Sequence, residues 1–107
     1  MIWQKIPGTN YAASNTGLIK NLSSDKQLKP VLRGCGYFVV TLHGRQEYVH
    51  RMVLYAFTGY LSKQGNHKDL NKLNNCLENL EWVTAKQNIQ HYLRRILEVN
   101  GQLTLML

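Results

Sequence analysis

The sequence predicts an α+β protein, with a small antiparallel β-sheet in its first half and helices in its second. Two observations carry this expectation. Up to Val49 the chain is built of short runs rich in β-branched and aromatic residues, divided by Gly, Asn and Pro. From His50 onward the apolar spacing changes to the helical period, interrupted by a polar stretch over 60–84.

The elements follow in order. Residues 11–14 and 18–22 read as strands joined by Asn15-Thr16-Gly17, a hairpin turn with a permissive glycine. The stretch 26–32 contains Pro30, which lacks an N–H and suits only an edge strand. Residues 37–42 are rich in β-branched and aromatic side chains and read as a strand, and His43-Gly44-Arg45 turns the chain into a further strand over 46–49. Met52, Val53, Ala56 and Phe57 share one helical face, giving a short helix over 50–58 that stops near Gly59.

Six of the ten asparagines lie between Asn66 and Asn88. That density points to a loop held by its own side chains around a site, because Asn caps turns locally and also ligates ions. Thr84-Ala85-Lys86-Gln87 has the capping-box pattern and predicts a helix over 85–99, stopped by Asn100-Gly101. Ile89, Leu93, Ile96 and Leu97 form its core face, while Asn88, His91 and Arg95 form a separate polar stripe. No internal repeat is visible, and the final apolar residues carry no assigned element.

The 107 residues suit one compact domain, or two small modules sharing a core. A composition of 44% hydrophobic and 18% charged residues speaks for a folded protein and against a disordered basic tail. No apolar run approaches the ~18 residues of a membrane span, and residues 1–8 lack the pattern of a signal peptide. A cytoplasmic protein is expected, with no membrane partner. Cys35 and Cys76 stand alone without a C-x-x-C pair, so no structural zinc is expected and both are read as reduced thiols. The net charge is +7, of which +5 falls on residues 1–57 and +2 on the remainder. Such an excess suits a surface facing a polyanion, and nucleic acid leads the candidates.

The informative stretch is Asn66-His67-Lys68-Asp69-Leu70-Asn71-Lys72-Leu73-Asn74-Asn75, then Glu78-Asn79-Leu80-Glu81-Trp82-Val83-Thr84, and then Asn88. Here the sequence resembles the HNH homing endonucleases of phage and intron type, whose active site is a ββα-metal finger. Trp3, Ile6-Pro7-Gly8, Tyr11, Ser14-Asn15-Thr16-Gly17, Leu28-Lys29-Pro30, Gly36-Tyr37 and Val49-His50-Arg51 resemble the nuclease-associated DNA-binding module that often precedes it. The resemblance runs over roughly residues 3–92, with the motifs in the family's order.

It implies a division into a DNA-binding β module (1–49), an HNH finger with a preceding short helix (50–100) and a C-terminal tail (101–107). It makes His67 the general base and Asn79 the residue that braces the loop and orients that histidine. Asn66 and Asn88 become the protein ligands of Mg²⁺ or Mn²⁺. Lys20, Lys26, Lys29, Arg33, Arg45 and Arg51 become the contacts to the backbone of double-stranded DNA. His50 reads as structural or as a phosphate donor, and Leu80, Trp82 and Val83 as core. The chemistry agrees with these residue types. A histidine titrating near neutrality can deprotonate water, and a hard divalent ion with few protein oxygens can steady the leaving oxygen.

Two positions depart from the family. Asn66 is neutral where an Asp is frequent, which weakens the expected metal site; Asp69 is the alternative anionic ligand. Leu70 stands where the family usually has Gly, at a turn where a positive φ would call for it. The expected activity is Mg²⁺-dependent hydrolysis of a DNA phosphodiester, with one finger nicking one strand in a monomer or weak dimer. The alternative is a DNA-binding module that retains the finger without its metal and cuts weakly or not at all. A toxin-type nuclease of the same finger class fits less well.

Overall fold

A computed structural model of the chain describes residues 1–62 and 64–83. Three antiparallel strands open it: β1 (Trp3–Lys5), β2 (Tyr11–Ser14) and β3 (Ile19–Asn21), in the order β1-β2-β3. The central strand β2 carries the small residues Ala12, Ala13 and Ser14, all buried, and this lets a helix lie close on it. β2 and β3 turn through Asn15-Thr16-Gly17, with Gly17 at φ 93° and its N–H donating to the Ser14 carbonyl at 3.1 Å. β1 has no counterpart in the sequence reading: three residues are too short to show a period of two.

A second antiparallel sheet holds β4 (Val31–Leu32), β5 (Phe38–Leu42) and β6 (Arg45–Tyr48), with β5 in the centre. Val39, Val40 and Leu42 of β5 are buried and Thr41 is exposed. β5 and β6 are joined by His43 (φ 51°) and Gly44 (φ 78°), a two-residue loop whose positive φ values match the strand twist. The fold class is α+β, but the strands of the first half divide between two sheets where a single sheet was expected. Pro30 marks the division. Before it, Leu28 N–H still donates to the Ile19 carbonyl beside β3; after it, Val31 pairs with Val39 of β5. A residue with no N–H to offer sits where the chain leaves one ladder for another.

β6 runs straight into α1 (Val49–Thr58), which ends at Gly59 in the left-handed region with its N–H bonded to the Tyr55 carbonyl at 2.9 Å. Val49, Met52, Val53, Leu54 and Ala56 are buried. They form one cluster with Ile6 just after β1, Ala13 and Ile19 from the first sheet, Val40 and Leu42 from the second, and Leu80 beyond the helix. α1 is therefore the shared core of both halves. The last described elements are the antiparallel pair β7 (Gln64–His67) and β8 (Leu80–Val83), with a 3-10 turn at Leu77–Asn79 before β8. The helix expected over 85–99, with Thr84, Asn88, His91 and Arg95, and the tail over 101–107 lie outside the described residues.

Candidate active site

Between β7 and β8 the chain makes a loop held mainly by carboxamides. The Asp69 carboxylate accepts from Asn71 N–H at 2.8 Å, Asn74 Nδ2 at 2.9 Å and Asn79 Nδ2 at 2.9 Å. Asn74, followed by the Asn71 amide and Asn79, holds that carboxyl below its ordinary range. Asn79, itself buried, also donates to the Asn74 carbonyl at 2.9 Å and accepts from Asp69 N–H at 3.0 Å. Both oxygens of Asp69 are thus engaged within the loop. Leu70 follows in the left-handed region at φ 64°, its N–H on the His67 carbonyl at 2.9 Å. An L-residue there costs about 1–2 kcal/mol against the ordinary helical region, which the surrounding bonds offset.

His67 ends β7 and is 4% exposed. Its Nε2 lies 2.8 Å from Asn75 Oδ1. A carbonyl oxygen can only accept, so Nε2 carries the proton and Nδ1 keeps the lone pair. Asn79 shapes the loop, but the partner on the imidazole is Asn75. Sequence reasoning missed Asn75, whose sole signal was its place in the asparagine-rich stretch.

The His67 ring also belongs to an aromatic cluster. Its centroid is 4.8 Å from that of His50 and 5.8 Å from that of Tyr37, while Tyr37 and His50 stack at 5.0 Å. Lys72 Nζ lies 4.9 Å from the Tyr37 ring centre and donates to the Cys35 carbonyl at 3.2 Å. Gly65 makes room for this packing: a Cβ there would lie 2.7 Å from His50 Cδ2. Burial pushes His50 down to about 3, with His67 and Arg51 adding to the effect, so this ring stays neutral. Burial also lowers His67, against the opposing influence of Asn75 and Asp69.

Asn66 precedes His67 and is likewise 4% exposed. The β7–β8 register sets it opposite Glu81, and its Nδ2 donates to Glu81 Oε2 at 2.9 Å. Its Oδ1 has no hydrogen-bond partner among the described residues. A buried carbonyl left so costs about 1–3 kcal/mol, and a cation would satisfy it. Among the described residues no group of three His, Cys, Asp or Glu side chains could hold a metal ion. The available donors are carboxamide and carboxylate oxygens, the class that Mg²⁺ and Mn²⁺ accept. Asn88 lies outside the described residues, and Cys35 and Cys76 are free thiols.

Of the six cations expected at DNA, Lys26, Lys29, Arg33 and Arg45 are exposed. Lys29 and Arg33 line a cavity of about 200 Å³ with Val31, Val39 and Gln46. Lys20 pairs with Asp25 at 3.0 Å and covers the Trp3 ring. Arg51 donates to the Ser62 carbonyl at 3.0 Å and lies over Trp82.

The β2–β3 turn reaches the site from the other half of the chain. Leu77 N–H donates to the Asn15 carbonyl at 2.8 Å, and a Cβ on Gly17 would lie 2.9 Å from the Asn75 carbonyl oxygen. The turn thus seats directly against the residue that holds His67.

Family models match both parts. One described as HNH endonuclease covers residues 47–90, and the NUMOD4 motif covers residues 1–43. The chain belongs to the HNH endonucleases. It is 38% identical over 105 residues to DNA endonuclease I-HmuI of Bacillus phage SP01, covering 89% of this chain and 59% of that protein. An uncharacterized HNH endonuclease of Acanthamoeba polyphaga mimivirus is 40% identical over 102 residues, or 84% of this chain and 25% of the viral one. A solved structure, described as DNA binding and cleavage by the HNH homing endonuclease I-HmuI, matches with a TM-score of 0.74 at 35% identity. That match covers 98% of this chain and 62% of the other. The chain therefore spans between a quarter and just over three-fifths of the length of these relatives of the HNH family.

Proposed function

We propose that the chain is a metal-dependent DNA endonuclease that nicks one strand of a duplex. The observation that carries this reading is the pairing of His67 Nε2 with Asn75 Oδ1, which leaves Nδ1 as a base at the end of the strand where Asn66 Oδ1 is buried without a partner among the described residues. His67 takes a proton at Nδ1 from the attacking water, and Asn75 holds the ring in the tautomer able to do so. Asn79 and Asp69 keep the loop that carries both residues in one conformation. Asn66, with Asn88 from outside the described residues, would hold Mg²⁺ or Mn²⁺. When bound, such an ion supplies Lewis-acid stabilisation of the leaving oxygen and a template for the phosphate.

Lys26, Lys29, Arg33 and Arg45 neutralise phosphates along the duplex and set its register without reading bases. One base on one finger fits a monomer or weak dimer that cuts one strand at a time. No helix among the described residues is long and apolar enough to cross a membrane. A phage-encoded enzyme acting on DNA in a bacterial cytoplasm is the setting that suits this chemistry and the phage relative.

A second reading, a DNA-binding module without turnover, draws on the neutrality of Asn66. Supercoiled plasmid separates the two. With Mg²⁺ the chain should convert it to the open circle; with EDTA, or with His67→Ala, it should not. Equal conversion in all arms, or none in any, overturns the nuclease reading.

A further inference from the structure

Asn66 is a weak donor taken by itself, since its carboxamide is neutral and a hard dication gains most from anionic oxygen. The strand register changes its situation. Asn66 and Glu81 face each other across β7 and β8, and the Asn66 amide donates to Glu81 Oε2 at 2.9 Å. The contact settles which way the carboxamide turns. With Oδ1 toward the carboxylate, two acceptors would meet; with Nδ2 toward it, Oδ1 is left on the other side of the amide. That oxygen is then buried without a partner among the described residues.

We infer that Glu81 is a positioning residue of the metal site, acting through Asn66: it fixes the carboxamide, strengthens Oδ1 as a donor and supplies the negative charge the ligand lacks. This inference rests on the metal-dependent reading above. An N–H donated to a carboxylate draws charge toward the carbonyl oxygen of the same amide. A carboxylate behind a metal-bound imidazole raises the basicity of its ligand in the same way. Together the pair carries one negative charge, shared between a neutral oxygen that faces the ion and a carboxylate one hydrogen bond behind it. A cross-strand contact serving stability alone would account for the Nδ2–Oε2 bond, but not for the buried oxygen left over.

The test is Mn²⁺ binding followed by calorimetry and by the paramagnetic resonance of free Mn²⁺. It uses the full chain in complex with duplex DNA, in a His67→Ala background so that the DNA stays intact. Glu81→Gln should weaken Mn²⁺ by about 10–100-fold, the range for losing a partner behind a ligand. With Asn66→Asp, a direct carboxylate makes Glu81 redundant and like-charged, so adding Glu81→Gln should leave Mn²⁺ affinity unchanged or raise it. Tight binding by this double variant also shows that β8 folds without Glu81.

Two outcomes overturn the inference. Mn²⁺ affinity indifferent to Glu81→Gln would mean that the carboxylate does nothing for the ion. An equal loss in both backgrounds would make Glu81 a direct ligand or a structural prop. If the starting complex binds no Mn²⁺ at all, the metal-dependent reading falls together with this one, and the plasmid assay in EDTA reports that case separately.

Discussion

The imidazoles of His50 and His67 lie 4.8 Å apart, one on α1 and the other at the end of β7. His50 is 6% exposed and is kept neutral by burial, with His67 and Arg51 adding to the effect, so the candidate base rests against an uncharged aromatic wall. A protonated His50 would place a cation against the ring that must accept a proton.

Stability should follow the titration of His50. Its folded value of about 3 lies below the 6.5 of an ordinary histidine, so the unfolded chain binds the proton first. The contribution is complete above pH ~6.5 and is lost progressively as pH falls toward the folded value. By pH 5 the loss is about 2 kcal/mol at 1.36 kcal/mol per unit. Thermal melts between pH 7.5 and pH 5 should show a steep fall for the wild type and a shallower one for His50→Gln. Parallel curves would refute the assignment.

Cleavage should keep its base active under mildly acidic conditions. Burial lowers His67, and the free base is the working form. The acid limb of the pH–rate profile should accordingly fall below the ~6.5 of an ordinary histidine. His67→Ala should retain DNA binding and lose roughly 10²-fold or more in rate, the usual scale for a general base. A limb above the ordinary value would contradict the burial seen at this ring.

Asn75→Ala and Asn79→Ala should differ in kind. Asn75 gives its side-chain oxygen to the His67 ring, so its loss should reduce cleavage strongly while lowering melting by one buried hydrogen bond, less than the loss of Asn79. Asn79 makes three side-chain bonds within the loop, so its loss should cost about 1–3 kcal/mol in stability. Rates and melting curves of the two variants provide the comparison. Identical behaviour would show that the loop and the histidine cannot be treated apart.

Salt should govern DNA affinity. Replacing the exposed Lys26 and Lys29 by Glu should reduce the slope of log affinity against log salt by about 2, near one unit for each lost phosphate contact. The same change at Lys20, already paired with Asp25, should reduce it less. Filter binding at several salt concentrations reads both slopes, and a slope unaltered by the double change would count against this face.

Much of the framework was legible because it is written locally. A glycine at 17 marks the β2–β3 turn, a glycine at 59 ends α1, and the asparagine density does mark a loop closed by its own side chains. What escaped depends on register or on distant packing. β1 is too short to show alternation. The passage from one sheet to the other at Pro30 depends on which ladder lies nearer. Asn75 beside His67, Glu81 opposite Asn66 and His50 against His67 each follow from contacts between residues 8, 15 and 17 positions apart. No local pattern encodes them.

The seating of the β2–β3 turn on Asn75 limits how this chain can be recombined. The finger does not carry its active geometry whole, because the backbone around its histidine clamp is formed against a turn some sixty residues earlier. Joined to a foreign DNA-binding half, the finger would keep every catalytic side chain yet lose the surface on which Asn75 rests. A working chimera would have to import that turn with its glycine, or rebuild an equally flat abutment there. Exchange of the first half of this chain is thus expected to succeed only with a partner that brings the same tight turn.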